Sequence, residues 1–265
     1  MVKQDFNLHT HTIRCHHAVG RDEQYILAAI DAGMKTIGFS DHIAYPGVEI
    51  PTDRMLNEDM DEYLKTMYDL KEKYKDKIQV LVGFEFEYFE DQKDYLLEMQ
   101  KKCDYLIIGQ HFRYVDGYNY DYFNNDEDVI CYAKQIERAL ELGLTKYIAH
   151  PDYFMLGRRK WTLACDEAAK IIVNAAKKHH AVIEINLNGL RYGKLYYENG
   201  KEYAYPRREF FKYVSDSGVK VCFGYDAHHP ATLLENQRIH DCLEILDGYH
   251  FDYVENVLEI IQAND

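Results

Sequence analysis

Seven short apolar segments, alternating with longer amphipathic ones, constrain the fold of this 265-residue chain more than any other feature. Continuous runs rich in Val, Ile and Leu are typical of parallel strands that are buried on both faces. No Gly-x-Gly-x-x-Gly motif follows any of these runs, so the sequence does not support a dinucleotide-binding sheet. We predict seven strands, over residues 5–11, 36–42, 79–87, 104–111, 146–150, 181–186 and 219–228.

The segments between the strands have the periodicity of helices. We predict helices over residues 22–32, 54–77, 91–102, 126–142, 161–179, 207–217, 233–246 and 249–262. We interpret the charged helix over 54–77 as an outer helix with a solvated face. Two polar, tyrosine-rich segments, 113–125 and 189–206, are predicted loops. The first loop is either a lid or an exposed connection. Residues 1–265 are expected to form a single domain.

Residues that commonly bind metals recur at or near the ends of the apolar segments. His9 and His11 alternate in an extended segment, so both imidazoles point to the same side. The later residues of this kind are His42, Glu85, His111, His150, Asp226 and His228. Because only a closed barrel brings all the carboxyl ends of its strands to one mouth, we predict a barrel with a metal site there.

Composition narrows the classes of partner. A net charge of −14 argues against a surface for nucleic acid or anionic membrane. No apolar run reaches membrane-spanning length, and residues 1–5 lack the apolar core of a signal peptide. The six cysteines form no Cys-x-x-Cys pair and are expected to be reduced thiols. We therefore expect a cytoplasmic protein that acts on a small molecule. The sequence leaves its oligomeric state open.

Six motifs resemble, in their order along the chain, those of the PHP (polymerase and histidinol phosphatase) superfamily. They are His9-Thr10-His11, Ser40-Asp41-His42, Gly83-Phe84-Glu85, Gly109-Gln110-His111, Ala149-His150-Pro151-Asp152 and Asp226-Ala227-His228. The resemblance implies a distorted (β/α)7 barrel that holds three metal ions. The Cys15-His16-His17 loop and the segment Asn188-Gly189-Leu190-Arg191 are most similar to the histidinol-phosphatase branch.

The resemblance also implies a set of nine ligands. The first ion would be held by His9, His11, Glu85 and Asp226. Glu85 would bridge to a second ion, with His111 and His150 as further ligands. The third ion would be held by His17, His42 and His228, with His16 as the competing candidate for the loop ligand.

The chemistry of these ligands narrows the identity of the metal. Seven imidazoles and two carboxylates suit Zn²⁺, Fe²⁺ or Mn²⁺ better than Mg²⁺ or Ca²⁺, which prefer shells rich in oxygen. Three divalent ions exceed the charge of two carboxylates, so the site would attract a phosphate monoester dianion despite the acidic chain. Such ions also activate water near neutral pH.

Other residues are candidates for binding and positioning the substrate. Arg191 is the best candidate for phosphate binding, because a guanidinium fork matches phosphate oxygens. Arg158 is a second candidate. Asp226 or a metal-bound water could protonate the leaving group. Gln110 stands where relatives commonly have a small residue, and it could narrow the pocket. Asp41, Glu87 and Asp152 are candidates for orienting the ligands.

We therefore expect a metal-dependent phosphomonoesterase, and the resemblance favours L-histidinol phosphate as its substrate. Water would attack phosphorus directly, without a phosphoenzyme. One alternative is the same chemistry on a nucleotide or another small phosphate ester, although the charge weighs against long nucleic acid. A second alternative is a non-catalytic metal-binding accessory domain, and the complete ligand set weighs against it.

Overall fold

The computed structural model describes residues 4–50 and 52–261. Seven parallel strands follow one another around a nearly closed barrel in chain order. They are β1 (Phe6–Asn7), β2 (Thr36–Phe39), β3 (Gln79–Phe86), β4 (Tyr105–Ile108), β5 (Tyr147–Ile148), β6 (Val182–Asn186) and β7 (Val221–Gly224). The predicted (β/α)7 architecture is confirmed.

Within residues 4–50 and 52–261, seven α-helices surround the barrel. They are α1 (Asp22–Asp31), α2 (Met60–Tyr74), α3 (Lys93–Met99), α4 (Asp126–Glu141), α5 (Leu163–His179), α6 (Arg208–Ser217) and α7 (Gln237–Ile245). Their apolar faces pack on the outside of the sheet in one large core cluster. Within the described residues, every helix is too short or too polar to cross a lipid bilayer.

Side chains, together with one backbone bridge, join β7 to β1. Thr10 forms a parallel bridge with Ala227, whose N–H donates to the carbonyl oxygen of His9 at 3.1 Å. Nearer the start of β1, the amide of Gln4 accepts from the N–H of Phe223 at 2.8 Å and donates to the carbonyl of Phe223 at 2.7 Å. The first and last parts of the candidate site are therefore held side by side.

The side chains that point into the barrel change from apolar to polar along the strands. A second apolar cluster, which includes Leu81, Ile107, Val182 and Cys222, is separate from the outer core. Because side chains alternate between faces, residues two or four positions further along point to the same side. On β3, Glu85 lies four positions after Leu81 and therefore points into the barrel as well. The interior is thus apolar near the start of the strands and polar near their carboxyl ends.

The prediction of a helix over 249–262 is wrong. Aromatic side chains occupy alternate positions from Tyr249 to Tyr253, a period of two that suits an extended chain. The N–H of Val221 donates to the carbonyl of Asp252 at 2.8 Å, and Val254 N–H donates to the carbonyl of Val221 at 2.9 Å. The segment therefore pairs with β7, and a short 3-10 turn follows. Residues 262–265 lie outside the described residues.

Two further predictions need correction. The predicted loops contain antiparallel hairpins, one pairing Phe112–Tyr114 with Gly117–Asn119 and the other pairing Leu195–Tyr197 with Gly200–Glu202. The helix predicted from residue 54 begins at Met60, after a 3-10 turn. This leaves Arg54 free to take part in the site.

Candidate active site

Four residues from the ends of β1, β3 and β7 meet at the floor of the barrel mouth. Oε2 of Glu85 lies 3.1 Å from Nε2 of His11 and 3.3 Å from Nε2 of His9. Oδ1 of Asp226 lies 3.5 Å and 3.6 Å from the same two nitrogens. All four side chains are buried. Neither ring nitrogen of His11 has a hydrogen-bond partner among the described residues.

Glu85 is the centre of this floor. Its Oε1 lies 2.8 Å from Nε2 of His150 and 3.7 Å from Nε2 of His111. Its Oε2 lies 3.2 Å from Nδ1 of His42. One carboxylate therefore contacts imidazoles on both of its oxygens, as a ligand that bridges two ions would.

A second group lies nearer the rim. Nε2 of His17 is 3.0 Å from Nε2 of His228, and the rings of His17 and His42 are 5.3 Å apart. Nδ1 of His228 lies 3.2 Å from Oδ1 of Asp226, which links this group to the floor. The structure brings His17, rather than the adjacent His16, to the group, and both residues are exposed.

The donor atoms have the spacing of ligands around shared ions. A Zn–N bond of about 2.0 Å places neighbouring donors of a tetrahedral ion about 3.3 Å apart, and the contacts described above bracket this value. Five groups have ligand atoms within 4.8 Å of one another; four are His9–His11–Asp226, His9–Glu85–His150, His11–His42–Glu85 and His17–His42–His228. The fifth combines His11 and His228 with Cys15. His111 joins none of them at this spacing.

The pKa values of three buried histidines favour the neutral form of imidazole, which is the form that binds cations. Burial lowers the pKa of His11 and of His111 to about 3, and it lowers the pKa of His42 well below its ordinary value. These imidazoles are therefore neutral at pH 7 and have lone pairs to donate. Burial by itself would raise the pKa of Glu85 and Asp226, but the surrounding imidazoles hold the pKa of both carboxyls well below the usual range.

Cys15 differs from these ligands. Burial raises the pKa of its thiol, and Sγ donates to the carbonyl of Thr12 at 3.2 Å. A protonated thiol is a poor metal ligand, because the thiolate is the form that binds metals. The expectation that Cys15 is a buried thiol therefore suits its surroundings.

Two of the proposed ligands occupy unusual backbone conformations. His150 has φ = 27° and Asp226 has φ = 45°, in a region that residues with a Cβ rarely adopt. His150 lies two residues after the end of β5, and Asp226 lies two residues after the end of β7. Such strain is often found at functional sites, where the surrounding structure fixes it.

A cavity of about 270 Å³ lies above these groups, and Arg191 is part of its wall. The guanidinium of Arg191 donates to the hydroxyl of Tyr192 at 2.8 Å and stacks 4.8 Å from the centre of that ring. Asn119 and Asp121, from the loop predicted as a lid or an exposed connection, also line the cavity. That loop therefore forms part of the wall.

The structure does not bring Arg158 to this cavity. Its buried guanidinium donates to Asp126 at 2.5 Å, to Thr162 at 3.0 Å and to Asn124 at 3.3 Å. The residue follows β5, as the sequence indicated, but the chain turns it towards the start of α4. Arg158 therefore links the segments that precede α4 and α5, and it does not face the substrate cavity.

Gln110 does not narrow the cavity. Its buried side chain accepts from the N–H of Tyr88 at 2.8 Å and donates to the carbonyl of Phe112 at 2.7 Å. The three candidate orienting carboxylates also bind backbone: Asp41 accepts from Thr12, Glu87 from His111 and Phe112, and Asp152 from Arg207.

Sequence reasoning missed two residues of the site. Arg54 lines the cavity, donates to Glu87 at 2.6 Å and stacks near the rings of Tyr45 and Phe112. Oε2 of Glu184 lies 2.8 Å from Nδ1 of His9, within hydrogen-bonding distance. The only sequence signal for Glu184 was a charged residue inside an apolar segment that was predicted to be a buried strand.

Comparison with known proteins agrees with this geometry. The model of the PHP domain family matches residues 7–188. The chain belongs to the PHP domain family. A Deinococcus radiodurans protein named "Probable histidinol-phosphatase" is 23% identical over 235 residues, covering 84% of this chain and 85% of the relative. A Schizosaccharomyces pombe protein of the same name is 25% identical, covering 84% and 80%. The Escherichia coli protein "Probable phosphatase YcdX" is also 25% identical, covering 92% and 86%.

Two solved structures share the fold of this PHP-family chain. HisK of Listeria monocytogenes, named for histidinol phosphatase, has a TM-score of 0.71 at 19% identity, covering 89% of this chain and 99% of that one. The histidinol phosphate phosphatase of Lactococcus lactis has a TM-score of 0.65 at 17% identity, covering 98% and 99%. The Lactococcus structure contains zinc, L-histidinol and phosphate.

Proposed function

We propose that this PHP-family chain is a metal-dependent phosphomonoesterase that hydrolyses L-histidinol phosphate to L-histidinol and phosphate. The observation that carries the proposal is the convergence of seven imidazoles and two carboxylates at one barrel mouth, where five of the imidazoles and both carboxylates line a cavity whose wall includes Arg191. The names of the Deinococcus and Schizosaccharomyces relatives, and the ligands of the Lactococcus structure, support this choice of substrate.

The ligand set is proposed to hold three divalent transition-metal ions, Zn²⁺, Fe²⁺ or Mn²⁺. Its members are His9, His11, His17, His42, Glu85, His111, His150, Asp226 and His228. When bound, such ions polarise a phosphate ester and supply a nucleophile from water near neutral pH.

The chain's own residues would orient the phosphate and the reacting groups. The guanidinium of Arg191 would donate to the non-bridging phosphate oxygens, and the side chain of Tyr192 holds that guanidinium in place. The low pKa of Asp226 favours its role as a carboxylate ligand over one as a proton donor. The proton for the leaving oxygen would then come from water.

The wall of the cavity favours a small cationic alcohol as the leaving group. Asp53 and Asp121 both line it, and Oδ1 of Asp121 is buried without a hydrogen-bond partner among the described residues. These carboxylates suit an ammonium or imidazolium group, and the ring of Phe112 offers an apolar surface. The additional phosphates of a nucleoside diphosphate or triphosphate would be repelled. A volume of about 270 Å³ also favours a small substrate.

We further propose that residues 1–265 form one PHP-type barrel domain of a cytoplasmic enzyme with no nucleic-acid or membrane partner. The segment around Tyr253 pairs with β7, so the end of the described chain belongs to the same barrel. All six cysteines are unpaired, as is usual in a reducing compartment. The net charge of −14 disfavours polyanionic partners.

The test is phosphate release by metal-depleted protein before and after addition of Mn²⁺ or Zn²⁺. We expect activity only after addition, with kcat/KM for histidinol phosphate above that for nucleoside monophosphates and p-nitrophenyl phosphate. A higher kcat/KM for nucleotides would favour the nucleotide alternative. Metal binding without release of phosphate from any monoester would favour a non-catalytic role.

A further inference from the structure

Glu184 is a buried carboxylate in β6 that belongs to none of the groups of candidate ligands. Its Oε2 lies 2.8 Å from Nδ1 of His9 and accepts from the hydroxyl of Tyr147 at 2.6 Å. Its Oε1 accepts from the side-chain amide of Asn186 at 2.6 Å and from the backbone N–H of His150 at 3.2 Å. Three donors and one imidazole nitrogen therefore converge on two oxygens.

This arrangement requires an ionised carboxylate. A carboxylate only accepts hydrogen bonds, and its two oxygens have enough lone pairs for four donors. A glutamine amide would present its NH2 group to two of these donors, and a buried donor without an acceptor is costly. Burial of a charge is tolerated here because every lone pair is used.

The contact with His9 determines which of its nitrogens can bind a cation. If Nδ1 carries the proton that Glu184 accepts, then Nε2 presents its lone pair towards Glu85 and Asp226. Histidines that bind metals usually donate their other N–H to a carboxylate, carbonyl or water in this way.

We propose that Glu184 is a positioning residue for the metal centre. It keeps His9 protonated on Nδ1 with Nε2 directed at the floor, and it holds the backbone of His150 in the same unit. The inference rests on the proposed metal site, because Glu184 acts through these two ligands and does not itself reach the cavity.

The neighbouring strand leaves room for this carboxylate. A Cβ at Gly224, at the end of β7, would lie 1.9 Å from Oε2 of Glu184. Any larger residue there would displace the oxygen that contacts His9. The glycine and the glutamate therefore form a pair that spans β6 and β7.

The main experiment compares the metal affinity of the wild-type chain with that of Glu184→Gln, by competition of Zn²⁺ against a chelator. Loss of an outer partner of a metal ligand weakens binding by roughly 10- to 100-fold, and we expect a loss in that range. The matched control is Tyr147→Phe, which removes one donor to the same oxygen but leaves the contact with His9. We expect its affinity to stay close to wild type.

A merely structural role for Glu184 would give a different pattern. Both variants would then lose thermal stability, and their metal affinities would change only in proportion to that loss. Wild-type affinity in Glu184→Gln would overturn the proposal. The phosphatase assay of the wild-type chain separates the two hypotheses: if wild type binds Zn²⁺ and is active while Glu184→Gln matches it, only the role of Glu184 fails.

A measurement on wild type keeps the proposal testable even if the variant does not fold. In the Zn²⁺-loaded chain, long-range ¹H–¹⁵N correlation spectra report which nitrogen of His9 carries the proton. We expect the proton on Nδ1. A proton on Nε2 would overturn the proposal.

Discussion

Glu85 and Glu184 are buried carboxylates on opposite sides of the same barrel, and both depend on a glycine of the adjacent strand or its end. A Cβ at Gly109 would lie 1.6 Å from Oε1 of Glu85, and one at Gly224 would lie 1.9 Å from Oε2 of Glu184. In the sequence each glutamate lies within an apolar run, and in the structure each faces one of these glycines.

The two residues differ in how their oxygens are used. Glu184 has three donors and one imidazole nitrogen at its two oxygens. Glu85 is surrounded by imidazole nitrogens, and its approach to His11 at 3.1 Å is not aligned as a hydrogen bond. A carboxylate whose acceptor sites are filled by donors supports its neighbours. Among the described residues, the side chain of Glu85 has hydrogen-bond contacts only with the imidazoles of His9 and His150, so it has capacity left for cations.

The largest effect is expected from Glu85→Gln. An amide removes the negative charge and half of the acceptor capacity at the centre of five imidazoles. The affinity for Zn²⁺, and with it metal-dependent phosphate release, should fall further than the roughly 10- to 100-fold loss of affinity expected for Glu184→Gln. Steady-state kinetics with metal analysis of the same samples would check this. Equal losses in the two variants would remove the distinction between the carboxylates.

The second prediction compares two arginines that the sequence placed in one role. Arg191→Ala should raise KM for the phosphate ester, since a charged hydrogen bond contributes about 1.5–3 kcal/mol, roughly 10- to 100-fold. Arg158→Ala should leave KM unchanged and lower Tm, because its partners are Asp126 and Thr162. An increase in KM for Arg158→Ala alone would reverse this assignment.

The glycines offer a third test. Gly109→Ala and Gly224→Ala should each destabilise the fold by about 1–3 kcal/mol, the usual cost of overpacking. Denaturant unfolding would measure this cost. Gly109→Ala displaces a proposed ligand, so its metal content should fall more than that of Gly224→Ala. The opposite order would indicate that Glu184 contributes more to the metal site than Glu85.

The smallest effect concerns pH. In metal-depleted protein the pKa of His11 and His111 is about 3, against 6.5 in an unfolded chain, because both are buried. Between those values the unfolded chain binds more protons, so the free energy of unfolding should fall as the pH decreases from 7 to 5. The lowered pKa of His42 adds to this trend. The raised pKa values of His9 and His150, and of the buried carboxyls of Asp41 and Asp152, which lie at about 7, oppose it and limit its size. Urea unfolding at the two pH values would measure it, and higher stability at pH 5 would contradict it.

The barrel and its mouth could be predicted because two regular signals coincide. Apolar runs mark buried parallel strands, and residues such as Glu85 and His150 stand where those strands end. For the loop ligand, the sequence left open only whether it is His16 or the adjacent His17. The clustering of all these residues therefore followed from the order of the strands.

The remaining features depend on contacts that have no local pattern. Arg54 reaches the cavity because the helix starts at Met60, and helix boundaries are the least certain part of such predictions. Arg158 and Arg191 both follow strands, and only the three-dimensional path of the loops separates them. The alternating aromatic side chains around Tyr253 indicate an extended chain, but only tertiary contacts determine that this segment pairs with β7.

The most direct test of the account is a crystal of the Zn²⁺-loaded chain measured at the zinc absorption edge. Anomalous difference peaks should appear between Glu85, His9 and His150, beside His11 and Asp226, and among His17, His42 and His228. Peaks only at surface residues, or none at the floor around Glu85, would contradict the claim that these side chains hold the metal ions.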